Sequence, residues 1–230
     1  MRIVITDLTR FSNPEIVCIA GLDIETGECI RPLPYIQLSE CTRLNILPGN
    51  VIDGDFTKSS NIENPHSEDC KYSGKLKRVR IYESDEFQSI LNSTLSPNIS
   101  EGFNYPFPEK GKVILSQFKP SKSIITLKMN TSNIEVVRDG FNEGKIRLHL
   151  LDNDGRRFSF LSITDLGFYN YAMKHFHDAN FPNIINAFIR RQDSVYLRVG
   201  LGREYQGGFW LQVNGIYTFP NYDTEIRSYN

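Results

Sequence analysis

The chain has 230 residues, 40% of them hydrophobic and 23% charged, with a net charge of −1 and a pI near 6.4. This is the composition of an ordinary soluble globular protein of one large or two small domains. It argues against a dedicated duplex-DNA binder, whose affinity comes from a basic excess that neutralises phosphates. No apolar run approaches the roughly 18 residues of a membrane span, so no membrane partner is expected. The charges at Arg2 and Asp7 leave no room for a signal-peptide core. A cytoplasmic location is the expectation.

In chain order, the first third reads as strands and turns. Ile3–Ile5 opens apolar and Ile16–Leu22 follows. Asp23–Glu28 carries turn chemistry before Cys29–Leu33 returns. Pro32 and Pro34 end that strand or hold it at an edge, because neither donates to a ladder. Leu47-Pro-Gly49 is another turn, Val51–Phe56 a further strand, and Leu76–Tyr82 a strand carrying Lys75, Lys77, Arg78 and Arg80. Alternation splits the cations of Lys75–Arg80 between two faces, which is no single binding stripe. Cys18, Cys29, Cys41 and Cys70 form no C-x-x-C pair and read as structural thiols.

From Ser93 to Ser123 the composition shifts to Asn, Ser, Pro, Gly and Lys. This reads as a long connection holding a domain boundary, giving units 1–105 and 106–230. Phe103, Tyr105, Phe107 and Phe118 would pin it to the surface. Ile124–Met129 and Lys145–Leu151 are strands, and Asp152-Asn-Asp-Gly155 is a hairpin turn leading back through Arg156–Leu161. Thr164 or Asp165 caps a helix over about Leu166–Asp178, with Leu166, Tyr169, Met173 and Phe176 on one apolar face. His175 and His177 at its end suit the terminal carbonyls. Asn183–Arg191 forms a second short helix. Ile5-Thr-Asp-Leu8 recurs as Ile163-Thr-Asp-Leu166, too short to count as a repeat.

The chain ends in a ribbon from Tyr196 to Phe219, expected to turn at Asn214-Gly215. It holds the only tryptophan, several tyrosines, Arg198 and Arg203. An aromatic, arginine-bearing β-surface suits something flat and anionic, such as a nucleotide or a single strand. Trp210, Phe209 and Tyr217 would equally plug a small β-core. Elsewhere Asn64–Cys70 is the densest cluster of potential ligands. His66-Ser-Glu68 matches half of a zinc-deaminase signature, but no P-C-x-x-C follows. The segment reads as a turn capped by Asn64, with Pro65 at a first helical position. No P-loop and no nucleophile elbow occurs, and Gly200-Leu-Gly202 is too short for a dinucleotide fingerprint.

Arg2-Ile-Val-Ile-Thr-Asp-Leu-Thr-Arg-Phe11, Val17–Asp23 and Cys29-Ile-Arg-Pro-Leu-Pro34 resemble the bacterial dual OB-containing domain family. Pro48-Gly49, Gly54-Asp-Phe56, Asn64–Cys70, Leu161–Asp165 and Arg198–Arg203 fit the same resemblance. It implies two OB-like barrels and, by analogy, nucleic-acid binding, and it carries no catalytic residues. The expected fold is mainly β: two OB-like small β-barrels with one or two short helices inserted in the second half. The expected function is non-catalytic recognition of single-stranded DNA or RNA. Bases would stack on Tyr196, Tyr205 or Trp210, and Arg31, Arg198 and Arg203 would hold phosphates, with no cofactor and no metal. Two alternatives stand beside it. One is a metal-dependent enzyme centred on His66, Glu68 and Asp69. The other is a protein-interaction subunit of a multi-protein system such as phage defence.

Overall fold

A computed structural model describes residues 1–58, 63–220, 222 and 226–229. The first half supplies β1 (Arg2–Arg10), β2 (Ile16–Asp23), β3 (Cys29–Leu33), β4 (Ile36–Gln37), α1 (Leu38–Leu44), β5 (Asn50–Lys58) and β6 (Asp69–Ile81). β1 pairs with β2 and β5, β5 with β6, and β6 runs parallel to β3, whose other edge joins β2. The ring β1-β2-β3-β6-β5 is therefore closed. A bulge between Ile5 and Asp7 lets β1 bend across its two partners. Ile3, Ile5, Val17, Ile19, Ile30 and Ile52 fill the interior. This is a five-stranded Greek-key barrel of the OB type.

Two helices follow, α2 (Ser84–Asn92) and α3 (Ile99–Phe103), and then the short β7 (Val113–Leu115). The stretch Ser93–Ser123, expected to be a long connection, thus carries α3 and β7. Phe103 and Phe107 are not surface pins but part of the second core, while Phe118 does remain exposed. The signal for α2 is a capping box in which Glu83 and Glu86 satisfy each other's backbone N–H groups.

The second half repeats the ring with β8 (Ile124–Met129), β9 (Ile134–Arg138), β10 (Ile146–Leu151), β11 (Arg157–Ile163), α4 (Leu166–Lys174), α5 (Asn183–Arg190), β12 (Ser194–Leu201) and β13 (Gly208–Phe219). β8 and β9 act as one first strand broken by a 3-10 turn at Thr131–Asn133: β8 pairs with β12, and β9 with β10. β11 lies parallel to β13, as β3 does to β6. In both rings the helical insertion falls between the third and fourth strands. Besides α4 and α5, three helices precede the second ring among the described residues.

The expected turn at Asn214-Gly215 does not form. Both residues lie inside β13, where a bulge opposite Arg198 absorbs Asn214. Gly215 is there for close approach: a side chain on it would strike the Tyr217 ring. The chain reverses instead at Tyr205–Gly208, with Gln206 and Gly207 both at positive φ, as a tight hairpin demands.

α4 wedges between the barrels. Asp165 caps it by accepting the Phe168 N–H at 3.1 Å. Phe168 and Ala172 are buried in the second core, while Leu166 packs on the first core and Tyr169 lies beneath the Arg10 guanidinium at 3.9 Å. Of the face read from Leu166, Tyr169, Met173 and Phe176, the last three pack on the second core and Leu166 alone turns to the first. His175 caps through its backbone only, because its ring pairs with Asp178 at 2.9 Å.

Candidate nucleic-acid interface

The seam between the barrels takes two of the residues expected to bind. Val4, Leu22 and Val51 from the first barrel meet Tyr196, Tyr217 and Phe219 from the second, with Phe87 and Leu91 of α2 packed alongside. Arg198 is 2% exposed. Its guanidinium donates to Asp7 at 3.0 Å and to Thr126 at 2.7 Å. Tyr196 is fully buried and donates to Asn92 at 2.8 Å, and the Tyr217 hydroxyl reaches the Thr6 carbonyl at 2.6 Å. Neither Tyr196 nor Arg198 can meet a base or a phosphate. They stand on the outer side of β12, but that side is pressed against the first barrel.

Arg31 is also buried rather than free. It donates to Asp69 at 2.5 Å and to Ser123 at 3.2 Å. Asp69 accepts on its other oxygen from Arg203 at 2.7 Å, and Arg203 also donates to Tyr35 at 3.1 Å. Glu68 is consumed by the Ser123 and Ile124 N–H groups at 2.7 and 3.2 Å and by the Ser123 hydroxyl at 2.9 Å. The two carboxylates of the imagined metal cluster thus tie the barrels together. Among the described residues no group of three or more His, Cys, Asp or Glu is placed to hold a metal ion. His66 lies at a pair of turns ahead of β6, its N–H donating to the Glu63 carbonyl and its own carbonyl accepting from the Asp69 N–H.

On the second barrel, the outer face of β10, β11 and the first half of β13 is open. Trp210 is 38% exposed and its indole N–H donates to the Tyr205 carbonyl at 3.1 Å, across the hairpin that leaves Tyr205 63% exposed. Phe160 is the unusual residue. Register slips between Leu148–Leu161 and Leu150–Phe158, so β11 carries an extra residue here, and Phe160 takes φ +57°. That conformation is costly for a bulky side chain, and the bulge turns the ring out of the barrel. His149 packs edge-on against it at 4.6 Å, and Phe141 approaches at 6.2 Å from the β9–β10 loop.

The β9–β10 loop is held by Asp139. Its carboxylate accepts the Phe141 and Asn142 N–H groups at 2.9 and 3.1 Å, and Arg147 at 2.7 Å. Burial pushes its pKa up, but these hydrogen bonds from Phe141, Arg147 and Asn142 outweigh it and bring the group down to about 2. Phe141 is left 88% exposed. Cations interleave with the rings. Lys112 donates to the Ser159 and Phe160 carbonyls at 3.3 and 3.2 Å, and burial followed by the nearby Arg147 lowers its pKa. Arg157 lies 3.0 Å from His149, whose own pKa is lowered by burial and then by Arg157. A groove of about 830 Å³ runs past Phe160, Lys112 and Arg157. Its neighbour of about 330 Å³ lies under Trp210, Phe141 and Arg147.

Of the six expected binding residues, the structure gathers Tyr205 and Trp210 on this face, puts Arg203 at the base of the same hairpin, and withdraws Arg31, Tyr196 and Arg198 into the seam. Phe141, Phe160, Lys112 and Arg147 were missed. An aromatic within the hairpin loop Asp139–Gly144 was a readable sign, because turns rarely need one. The outward turn of Phe160 was not readable, since it depends on a bulge.

Two closed rings with parallel third and fifth strands, and helical insertions before the fourth, define a protein built of two OB-type barrels. The family model for the dual OB-containing domain (DuOB) matches residues 1–216, and the chain belongs to that family. No curated protein matches the chain, and no solved structure does. No helix among the described residues is long and apolar enough to cross a membrane.

Proposed function

We propose that the protein holds single-stranded nucleic acid, DNA or RNA, across the outer face of β10, β11 and β13, as recognition without catalysis. The observation that carries this is the set Phe141, Phe160 and Trp210, exposed together on one face of the second barrel and interleaved with Lys112, Arg147 and Arg157. Bases stack on exposed rings regardless of sequence, and the cations track the backbone. In OB barrels the ligand lies across strands two and three and the loops at their ends. Here those are β10 and β11, the β9–β10 loop with Phe141, and the β12–β13 hairpin with Tyr205. Lys110, Lys112, Arg156 and Arg157 line the larger groove beside Glu109 and Asp154.

Fluorescence anisotropy with labelled DNA and RNA oligomers tests this, at low and at physiological salt. Binding that weakens as salt rises, and weakens again in Trp210→Ala and Phe160→Ala while the fold is kept, is the expected result. Unchanged affinity in both variants would remove the face from consideration. No binding to any oligomer would turn the exposed aromatic patch into a docking surface for a protein.

A further inference from the structure

The pocket of about 330 Å³ within the open face has Phe141, Phe160 and Trp210 in its walls. The Trp210 ring is held by its bond to the Tyr205 carbonyl. The polar lining is Arg147 and Ser162, paired across β10 and β11, with Lys112, Asp139 and Asn142. The one acid is fully used. One Asp139 oxygen accepts the Phe141 and Asn142 N–H groups, and the other accepts Arg147 Nε at 2.7 Å and Asn142 Nδ2 at 3.1 Å. Arg147 Nη1 donates to the Ser162 hydroxyl oxygen, so the guanidinium is fixed in direction. Its Nη2 has no partner among the described residues, and 20% of the side chain reaches solvent.

An occupant therefore meets flat apolar walls and a surplus of hydrogen-bond donors. The spare donors are Arg147 Nη2, the Ser162 hydroxyl proton and one ammonium proton of Lys112, whose Nζ otherwise serves the Ser159 and Phe160 carbonyls. The Asn142 amide adds one donor and one acceptor. A phosphate would use the donors but gain nothing from three rings, whereas a base uses both. The bases differ in what they offer. Outside its pairing edge guanine presents two adjacent acceptors, N7 and O6. Adenine sets a donor beside its acceptor, thymine a methyl group beside its acceptor, and cytosine presents a donor. Cytosine has two acceptors only on its pairing edge, on a single ring with less surface to lay against the walls. A planar guanidinium is the side chain that most often reads the guanine edge.

We propose that this pocket gives the strand face a preference for guanine. One guanine of the bound strand enters it, lies against the aromatic walls and presents N7 and O6 to Arg147 and its neighbouring donors. The inference rests on the strand reading above, and adds a base preference to a face that stacking alone leaves indifferent to sequence.

The test is fluorescence anisotropy on the full chain with labelled oligothymidylate and with the same oligomer carrying one central guanine, hypoxanthine, 7-deazaguanine or cytosine. Hypoxanthine keeps N7 and O6, and 7-deazaguanine loses N7. Guanine and hypoxanthine should tighten binding about tenfold over thymine, the scale of one two-point base contact, while 7-deazaguanine and cytosine should not. Arg147→Lys keeps a cation beside Asp139 but loses the planar fork, and should bring the ratio of guanine to thymine affinities to about one. A 7-deazaguanine or cytosine oligomer that binds as tightly as the guanine one, or a ratio unchanged in Arg147→Lys, would overturn the assignment. Guanosine 5′-monophosphate that competes as well as the guanine oligomer would give the pocket to a free nucleotide and overturn its place on a strand. Equal affinity for all five oligomers would sink the pocket and leave the strand face standing. No binding to any of them would remove both.

Discussion

The two barrels share a ring order, a parallel closure and a helical insertion at the same point, yet the outer sides of their first three strands meet different fates. In the first barrel Val4, Asp7, Leu22 and Arg31 are buried, against Tyr196 and Tyr217, Arg198 and Ser123. In the second barrel the corresponding side carries Arg147 of β10 and Phe160 of β11 toward solvent or a groove, with Trp210 of the fifth strand, β13, beside them. The lesson is that an OB ring does not by itself provide a ligand face. What lies against the ring decides whether the face is packed away or left open.

The comparison breaks first at the seam. Arg198→Ala leaves Asp7 buried and unpaired, and should cost about 3–5 kcal/mol in urea denaturation. Asp7→Leu combined with Arg198→Met should recover most of that loss, because an apolar pair needs no partner. A single variant as stable as wild type would mean the seam is not held this way.

The next effect is on the open face. Trp210→Ala should lower affinity for single strands by about 1–3 kcal/mol, the worth of one stacked base. Stability should change far less, because the ring is partly exposed. Phe160→Ala should act in the same direction at the low end of that range. Val79, exposed on the first barrel, supplies the contrast: Val79→Ala should leave the anisotropy titration where it was.

The smallest effect concerns acid. Asp139 has its pKa depressed in the fold from 3.8 to about 2. Its contribution to stability is therefore complete above the unfolded value and is lost only as pH falls through the folded one. The Phe141 loop should keep its order from neutrality down to about pH 4, as read by the backbone amide signals of Phe141 and Asn142. Loss of those signals at a higher pH would mean that Asp139 does not hold the loop.

Much of the ring was legible in the chain. Apolar alternation, the turn at Asp23–Glu28 and the hairpin at Asp152–Gly155 are local signals, and the strands they bound are present. Asp165 as a helix cap was equally local. The seam was not legible, because it joins residues such as Asp7 and Arg198 that are far apart in sequence, and an arginine beside aromatics reads the same whether it faces water or another barrel. Asn214-Gly215 misled for a related reason. Glycine serves turns and close approaches alike, and only the Tyr217 ring reaching back to Thr6 shows which applies. His66 and Asp69 stood out in the sequence for a metal they are not arranged to bind, and they line a cleft beside Arg203 instead.

The covered face of the first barrel also has an evolutionary meaning. Val4 and Leu22 occupy positions that in a lone barrel would answer to a ligand, but here they answer to Tyr196 and Tyr217. Selection on them is then selection for fit between two halves of one chain, relaxed only by paired changes across the seam. Phe160 and Trp210 are outside the seam and carry no such paired constraint. Under the function proposed above, a chain of two such barrels can change its ligand through one barrel while the other is held nearly constant as its support.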